Sequence, residues 1–268
     1  TTNPVIKNVR IQDCRFKNLS YLPVFFGGIR GYSQMLDCIV DNCLDSGFTY
    51  CENVFFNRNR VTRSADNGVS LSSGNKNVVC IGNYMENSSY AGIWLSGWQG
   101  GTGATGSGPS SFVCTGNIVV NSGWSGIHLE DAPKRGIVAN NVIDGVLKGP
   151  IDGVDDSKGV GITVKPFPSN VYPVTTSNIV EYAQDLMILD NLITNADRGG
   201  ISVRGLLGGV IRGNRILNVG STKKADGSTD VTPSTTENFG ILLDTQSGNT
   251  IQDISVESNV IIDNRTET

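Results

Sequence analysis

The feature that most constrains this chain is a short phrase that recurs along almost its whole length. A polar residue precedes Asn or Cys, and a variable residue and then an apolar residue follow; consecutive copies mostly lie about 21–24 residues apart. Longer spacings are single copies that carry insertions. Repeats of this length are the signature of a solenoid. The Asn or Cys position is occupied by Cys14, Cys38, Asn59, Asn83, Asn117, Asn141, Asn191, Asn214 and Asn259.

A second phrase, Gly-aliphatic-x-aliphatic, lies between successive copies of the first. It begins at Gly68, Gly92, Gly126, Gly161, Gly200 and Gly240, and Gly47-Phe48-Thr49-Tyr50 is a looser copy. Both phrases alternate apolar and variable residues, which predicts short strands.

The apolar positions of the first phrase form two columns that only a stack of strands can bury. One column precedes the Asn position by three residues and the other follows it by two. Stacking at roughly 4.8 Å per strand would cover them. The columns run from Ile11 through Met35, Phe56, Cys80, Cys114, Val138, Ile188 and Ile211 to Val256, and from Phe16 through Val40, Val61, Met85, Val119, Ile143, Ile193 and Ile216 to Ile261.

A further series lies four residues after the Asn position: Asn18, Asn42, Asn87, Asn121, Asn195, Asn218 and Asp263. Asn tolerates a left-handed turn conformation and can bond to the rungs above and below, as in an asparagine ladder. The Leu-x-x-Leu-x-Leu frame of leucine-rich repeats is missing. We therefore predict an all-β, single-stranded parallel β-helix of about nine rungs with loop insertions. We expect residues 1–268 to form one domain, which is a fragment of a longer or processed chain.

Composition and charge exclude several partner classes. The net charge is −4 and no basic stripe occurs, so nucleic acid is not an expected partner. No apolar run is long enough to predict membrane insertion, and no signal peptide is present. Six cysteines are predicted to be free and mostly buried, although a Cys14–Cys38 bridge between adjacent rungs remains an alternative.

The insertions at 97–110, about 145–158, about 165–178 and 220–238 are predicted to flank one strand face and form a groove. The outward positions of that face form two columns. The first is Thr49, Ser70, Trp94, His128, Thr163, Ser202 and Leu242; the second is Cys51, Ser72, Ser96, Glu130, Lys165, Arg204 and Asp244.

Candidate functional residues cluster on this face. The only His, His128, lies near Trp94, Trp98 and Trp124, and exposed aromatic rings beside carboxylates are typical of sugar sites. We take Trp94, Trp98, Trp124, His128 and Asp244 as substrate-binding candidates.

Structural alternatives stay open. Trp124 could cover the end of a sheet, and His128 could be an ordinary surface histidine. The column Glu130–Lys165–Arg204–Asp244 could be a salt-bridge ladder, and Asp155 and Asp156 could be solvated turn residues.

The two phrases resemble those of the pectate-lyase-like superfamily of right-handed parallel β-helices, over nearly the whole chain. The irregular insertions look most like a bacteriophage tailspike or depolymerase domain. This resemblance implies a polysaccharide substrate, a homotrimer, and an extracellular or virion-tail location. No catalytic motif of the superfamily occurs, so the resemblance is specific for the fold and not for the activity.

Two mechanisms and one non-enzymatic function fit these residues. A hydrolase needs two carboxyl groups, for which Glu130 or Asp131 could combine with Asp155, Asp156 or Asp244. A lyase acting on uronic acids needs a base and a cation, for which Lys165 and Arg204 are candidates. No cofactor is expected, except that a lyase could use calcium at Asp152, Asp155 and Asp156. The rival function is a non-catalytic stem or sugar-binding adhesin.

Overall fold

The computed structural model describes residues 6–72, 74–97, 108–147, 158–166, 181–220, 239–244 and 250–263. Within these ranges the chain forms strands and no helix. The first half of the chain contains β1 (Lys7–Gln12), β2 (Arg15–Lys17), β3 (Phe25–Gly27), β4 (Arg30–Leu36), β5 (Ile39–Asp41), β6 (Ser46–Thr49), β7 (Glu52–Asn57), β8 (Arg60–Thr62), β9 (Val69–Ser72), β10 (Lys76–Ile81), β11 (Tyr84–Glu86), β12 (Ile93–Ser96), β13 (Ser110–Thr115) and β14 (Ile118–Val120). The second half contains β15 (Ser125–Leu129), β16 (Lys134–Ala139), β17 (Val142–Asp144), β18 (Val160–Val164), β19 (Ala183–Leu189), β20 (Leu192–Thr194), β21 (Gly199–Arg204), β22 (Leu206–Arg212), β23 (Arg215–Leu217), β24 (Phe239–Asp244), β25 (Ile251–Glu257) and β26 (Val260–Ile262).

These strands form three parallel sheets, each of which takes every third strand. Sheet A runs from β1 to β25 and sheet B from β2 to β26, with nine strands each, and sheet C runs from β3 to β24 with eight strands. One turn of the chain therefore passes through one strand of each sheet. The predicted parallel β-helix of about nine rungs is confirmed. No described element is a helix long and apolar enough to cross a bilayer.

The two predicted apolar columns are the interior of sheets A and B. Met35 pairs with Phe56 in sheet A and Met85 with Val119 in sheet B, and all four side chains are fully buried. Val256 and Ile261, in the last described rung, are 45% and 53% exposed. The expectation that they are buried was wrong, because no further described rung covers them.

The Asn of the first phrase forms the ladder between sheets A and B. Asn117 donates from Nδ2 to Asn141 Oδ1 at 2.9 Å, and its own Oδ1 accepts the backbone N–H of Asn83 at 3.0 Å. The same pattern continues from Asn59 to Asn259. The second series behaves as turn residues, with Asn18 to Asn218 near φ 50–57°. Within that series Asn42 donates to Asn18 at 2.8 Å.

The Gly of the second phrase is required where each chain turn enters sheet C. A Cβ on Gly126 would lie 2.4 Å from Ile143 Cγ2 and 2.7 Å from the carbonyl oxygen of Gly161 on the next rung. Equivalent clashes occur at Gly68, Gly92, Gly161 and Gly200, and a Cβ on Gly240 would clash with the Ile261 side chain. Only a residue without a side chain allows the rungs to approach this closely.

The sequence phrases align Gly47 with Gly68 of the next rung, and this alignment was wrong by two residues. Gly47 pairs with Ser70 and Thr49 pairs with Ser72. Thr49 therefore belongs to the second outward column, and Cys51 is a buried core residue. The corner position that other rungs fill with Gly is filled here by Asp45.

All six cysteines are free, so the Cys14–Cys38 bridge does not form. Cys80 and Cys114 pair within the interior column of sheet A and are fully buried.

Candidate functional site

A column of corner residues precedes sheet C and forms one wall of a cleft. Tyr90 N–H donates to the carbonyl oxygen of Asp66 at 3.1 Å, and Trp124 N–H donates to that of Tyr90 at 3.1 Å. These three residues therefore stack on successive rungs. The outer face of sheet C forms the other wall. The cleft has a volume of about 490 Å³ and is lined by Leu44, Ala65, Asp66, Asn67, Tyr90, Ala91, Trp94, Trp124, His128 and Glu130.

Aromatic rings dominate this cleft. The rings of Tyr90 and Trp124 have centroids 4.9 Å apart and are tilted by 51°, and the Trp124 and His128 rings are 5.8 Å apart. Trp94 lies opposite them, on β12 next to His128 of β15. Tyr90 is 46% exposed, so part of this aromatic surface is open to a ligand.

Glu130 is held by side chains on two rungs. Trp94 Nε1–H donates to Glu130 Oε2 at 2.8 Å, and His128 Nε2 lies 3.5 Å from the same oxygen. His128 Nδ1 lies 2.9 Å from Ser125 Oγ. The carboxylate favours the tautomer with its hydrogen on Nε2, which leaves Nδ1 to accept from Ser125. These contacts fix the orientation of Trp94, His128 and Glu130 together.

A second group of carboxyl side chains lies at the other end of the cleft. Asn67 Nδ2 donates to Asp66 Oδ1 at 3.2 Å and to Ser70 Oγ at 3.2 Å, and Ser70 Oγ donates to the buried Asp45. Burial raises the pKa of Asp66. Burial is the main reason why the pKa of Asp45 is raised to about 6; the nearby charge of Asp66 acts in the same direction, whereas hydrogen bonds from Ser70 and Asn67 act against it.

The outward columns of sheet C are less exposed than expected. His128 is 4% exposed, Lys165 6% and Arg204 9%. Ser96 Oγ and Thr163 Oγ1 are buried without a hydrogen-bond partner in the described part of the chain. The expectation that these positions point into open solvent was wrong for most of them.

One ion pair of the predicted charge column is present among the described residues. Arg204 Nε lies 3.3 Å from Asp244 Oδ2, which is a pair between adjacent strands of sheet C. Glu130 also contacts Trp94 and His128. Glu130 and Asp244 are three rungs apart, or about 14 Å at the usual strand spacing. This exceeds the carboxyl separation of either class of glycosidase, so Asp244 is a poor partner for Glu130.

Of the remaining candidate site residues, one lies in a turn and the others lie outside the described residues. Asp131 is buried in the turn after β15, with φ 60°. Trp98, Asp152, Asp155 and Asp156 lie outside the described residues, as do most of the four predicted loops. Among described residues, no group of three or more His, Cys, Asp or Glu side chains could hold a metal ion.

Sequence reasoning missed Asp66, Tyr90 and Asp45. All three lie in the corners before sheet C, whereas the search for candidates followed the outward positions of the strands. A signal was present, because Asp66, Tyr90 and Trp124 each stand two residues before the Gly of the second phrase.

Comparison with known proteins agrees with this architecture. Residues 1–107 match the family model of the right handed beta helix region. The same rung continues to Ile262. The fold is a right-handed parallel β-helix.

No curated protein matches the chain. A solved structure similar to it is the tailspike protein of Acinetobacter baumannii phage AM24, at 13% identity and a TM-score of 0.43, over 81% of this chain. The chain spans 50% of the length of that tailspike.

Proposed function

We propose that the protein binds a polysaccharide along sheet C and cleaves it in the cleft between sheet C and the corner column. The observation that carries this proposal is the presence of three aromatic rings and two carboxyl groups in one open cleft. Aromatic faces stack on the apolar faces of pyranose rings, and carboxyl groups bind hydroxyls or act on the glycosidic bond. The resemblance of the repeat to carbohydrate-active β-helices supports the same class of ligand.

Hydrolysis by Asp66 and Glu130 is the mechanism that fits the described residues best. Burial raises the pKa of Asp66, which suits a proton donor. Glu130 accepts a hydrogen bond from Trp94 and faces His128, which holds its carboxyl group in the fixed orientation that a general base requires. Asp66 would protonate the leaving oxygen as its bond to C1 breaks. Glu130 would take a proton from the water whose oxygen bonds to C1.

The proposed mechanism is inverting, because Glu130 activates a water molecule instead of attacking C1 itself. Asp66 lies two rungs from Trp124, which shares a rung with Glu130, so the mechanism requires the bound polymer to cross these rungs with its glycosidic bond between the two carboxyl groups. Inverting enzymes have the wider carboxyl separation, because a water molecule must fit between sugar and base.

A lyase remains the second mechanism of cleavage. It would place a uronate against Lys165 and Arg204, but the charge of Arg204 is already balanced by Asp244 at 3.3 Å. A stem or adhesin without activity is the third possibility. For any of these functions we propose an extracellular or virion-tail location, where surface polysaccharides are met.

The test is incubation with purified bacterial capsular and O-antigen polysaccharides. Hydrolysis releases reducing ends without the ultraviolet absorbance of an unsaturated uronate, whereas a lyase produces that absorbance. Glu130→Gln should reduce the cleavage rate at least about 100-fold while binding is retained. Binding without cleavage by the wild type would favour an adhesin.

A matched pair of tyrosine variants locates the binding surface. Tyr90→Ala should weaken binding by removing a stacking ring from the cleft. Tyr32 is similarly exposed, at 48% against 46%, but lies on sheet A. Tyr32→Ala should therefore bind like the wild type. Equal loss in both variants, or in neither, contradicts the assignment of the cleft.

A further inference from the structure

We infer that Phe25 forms a second sugar-binding subsite on sheet C, which a long polysaccharide reaches and a short oligosaccharide does not. The inference rests on the proposed function and extends the binding surface of the same face. Because the subsite lies on another rung than the aromatic rings of the cleft, the two can be tested separately.

Phe25 is an outward residue of sheet C. It pairs with Gly47 of β6, which pairs with Ser70 of β9, which in turn pairs with Trp94 of β12. Phe25 therefore stands in the same outward column as Trp94, three strand spacings away, or about 14 Å. Phe25 is 58% exposed, although Phe is among the residue types that folded proteins most often bury.

The Phe25 ring lies against the sheet, over two glycines. A Cβ on Gly47 would lie 3.0 Å from Phe25 Cδ2, and a Cβ on Gly27 would lie 3.1 Å from Phe25 Cε1. Opposite edges of the ring thus occupy the space that side chains at these two positions would fill. Gly47 is buried although it is an outward residue, which agrees with a ring that covers it. One face of the ring is therefore turned to the sheet and the other to solvent, which is the arrangement that stacking on a pyranose requires.

The surface between Phe25 and Trp94 is low and carries no charged outward residue. The outward positions of β6 and β9 are Gly47, Thr49, Ser70 and Ser72. Side chains this small form the floor of a trough between the two aromatic rings. Thr49 and Ser72 are half-buried and place hydroxyl groups along the floor, where the hydroxyls of a sugar can form hydrogen bonds.

The cleft itself extends in the direction of Phe25. Its lining residues come from four successive rungs, with Trp124 before β15, Tyr90 before β12, Asp66 before β9 and Leu44 before β6. Phe25, on β3, belongs to the next rung in this series. A polymer that lies along the length of the cleft is thereby directed over the trough towards Phe25.

A length series of oligosaccharides tests the subsite. A polysaccharide that binds is taken from a panel of bacterial capsular and O-antigen polymers, partially hydrolysed with acid and fractionated by length. Binding is measured by calorimetry in the Glu130→Gln background, which limits cleavage. Phe25→Ala should weaken the binding of long fractions about tenfold and leave the shortest binding fractions unaffected. Tyr90→Ala should weaken the binding of long and short fractions alike.

Further variants separate the ring from the fold. Gly47→Val keeps Phe25 but fills the space under its ring, and Val is well suited to a strand, so this variant should also lose affinity for long fractions only. Phe25→Tyr keeps an aromatic face and should bind every fraction like the wild type, as should Tyr32→Ala on sheet A.

Two outcomes would count against the inference. Equal affinity of the wild type and Phe25→Ala for every length, or a loss that does not depend on length, overturns it and leaves the proposed function standing. Absence of binding to every polysaccharide of the panel overturns both.

Discussion

Asp45 is the residue whose surroundings depart most from those of an ordinary surface carboxylate. It is 4% exposed, it accepts a hydrogen bond from Ser70, and its pKa is raised to about 6. It occupies the corner position that is glycine in the later rungs. Its position behind the cleft means that its protonation changes the charge seen by Asp66 without any contact with substrate.

This burial predicts a pH dependence of stability. Because the pKa of Asp45 is raised in the folded state, ionisation penalises folding. The stabilisation is complete below the unfolded pKa of 3.8 and is lost as the pH rises through about 6. Asp45→Asn should therefore be more stable than the wild type at pH 8, by up to about 3 kcal/mol, with the difference vanishing near pH 4. Urea denaturation between pH 4 and pH 8 measures it.

Asp37 provides a control of opposite sign. It is exposed, and its bidentate pair with Arg58, at 2.7 and 2.8 Å, lowers its pKa. Asp37→Asn should have a slightly lower free energy of unfolding than the wild type above pH 4. The two proteins should be equally stable below the lowered pKa of Asp37. A stability difference for Asp45→Asn that is constant across the pH range would show that Asp45 is not buried as described.

The residue scale is also where prediction from sequence was weakest. Trp94, His128 and Glu130 were found because they occupy outward strand positions, which a period of two makes visible. Asp66 was not found, because its spacing of two residues before a Gly does not separate a functional carboxylate from a turn residue, and Asp45 was not found because it occupies the Gly position itself. Their burial depends on the side chains of neighbouring rungs, which only the structure shows.

At the scale of the strand, the sequence signal is strongest where a clash would be most severe. From Gly68 to Gly200, the glycine of the second phrase is visible in the sequence because a Cβ there would strike a backbone oxygen of the next rung. Register was predicted correctly at each such glycine. The predicted register was wrong by two residues at Gly47, because Asp45 occupies the corner position there and Gly47 itself lies inside the strand.

The close approach of rungs can be tested at Gly126. Gly126→Ala places a methyl group 2.4 Å from Ile143 Cγ2 and 2.7 Å from the Gly161 carbonyl oxygen, and a backbone atom cannot easily move away. We expect a loss of about 3 kcal/mol in the free energy of unfolding. Gly116→Asn is the control, since Gly116 has open space and Asn140 fills the same turn position one rung later with φ 53°. Equal stability of the Gly126→Ala protein would mean that the rungs are further apart.

At the scale of the whole molecule, the stack presents one continuous interior and three outer faces. The core cluster runs from Val24 to Ile216 without interruption among described residues. Such a solenoid holds the cleft on a rigid platform, because each rung is fixed by the backbone hydrogen bonds of the rungs on either side. This rigidity suits the binding of a long polymer, whose successive sugars can lie along several rungs.

The chain is predicted to form a homotrimer. The resemblance of the repeat phrases to those of tailspikes is the reason for this prediction, and the open sheet edges add a physical one. The first and last strands of each sheet have one edge without a partner strand among the described residues, and open edges favour association. Closed cyclic symmetry is a common way for identical subunits to cover such surfaces.

Light scattering at micromolar concentration should give about three times the chain mass of 28.5 kDa. A mass that stays at that of one chain over a hundredfold concentration range would contradict the prediction and would favour a secreted enzyme that works as a monomer.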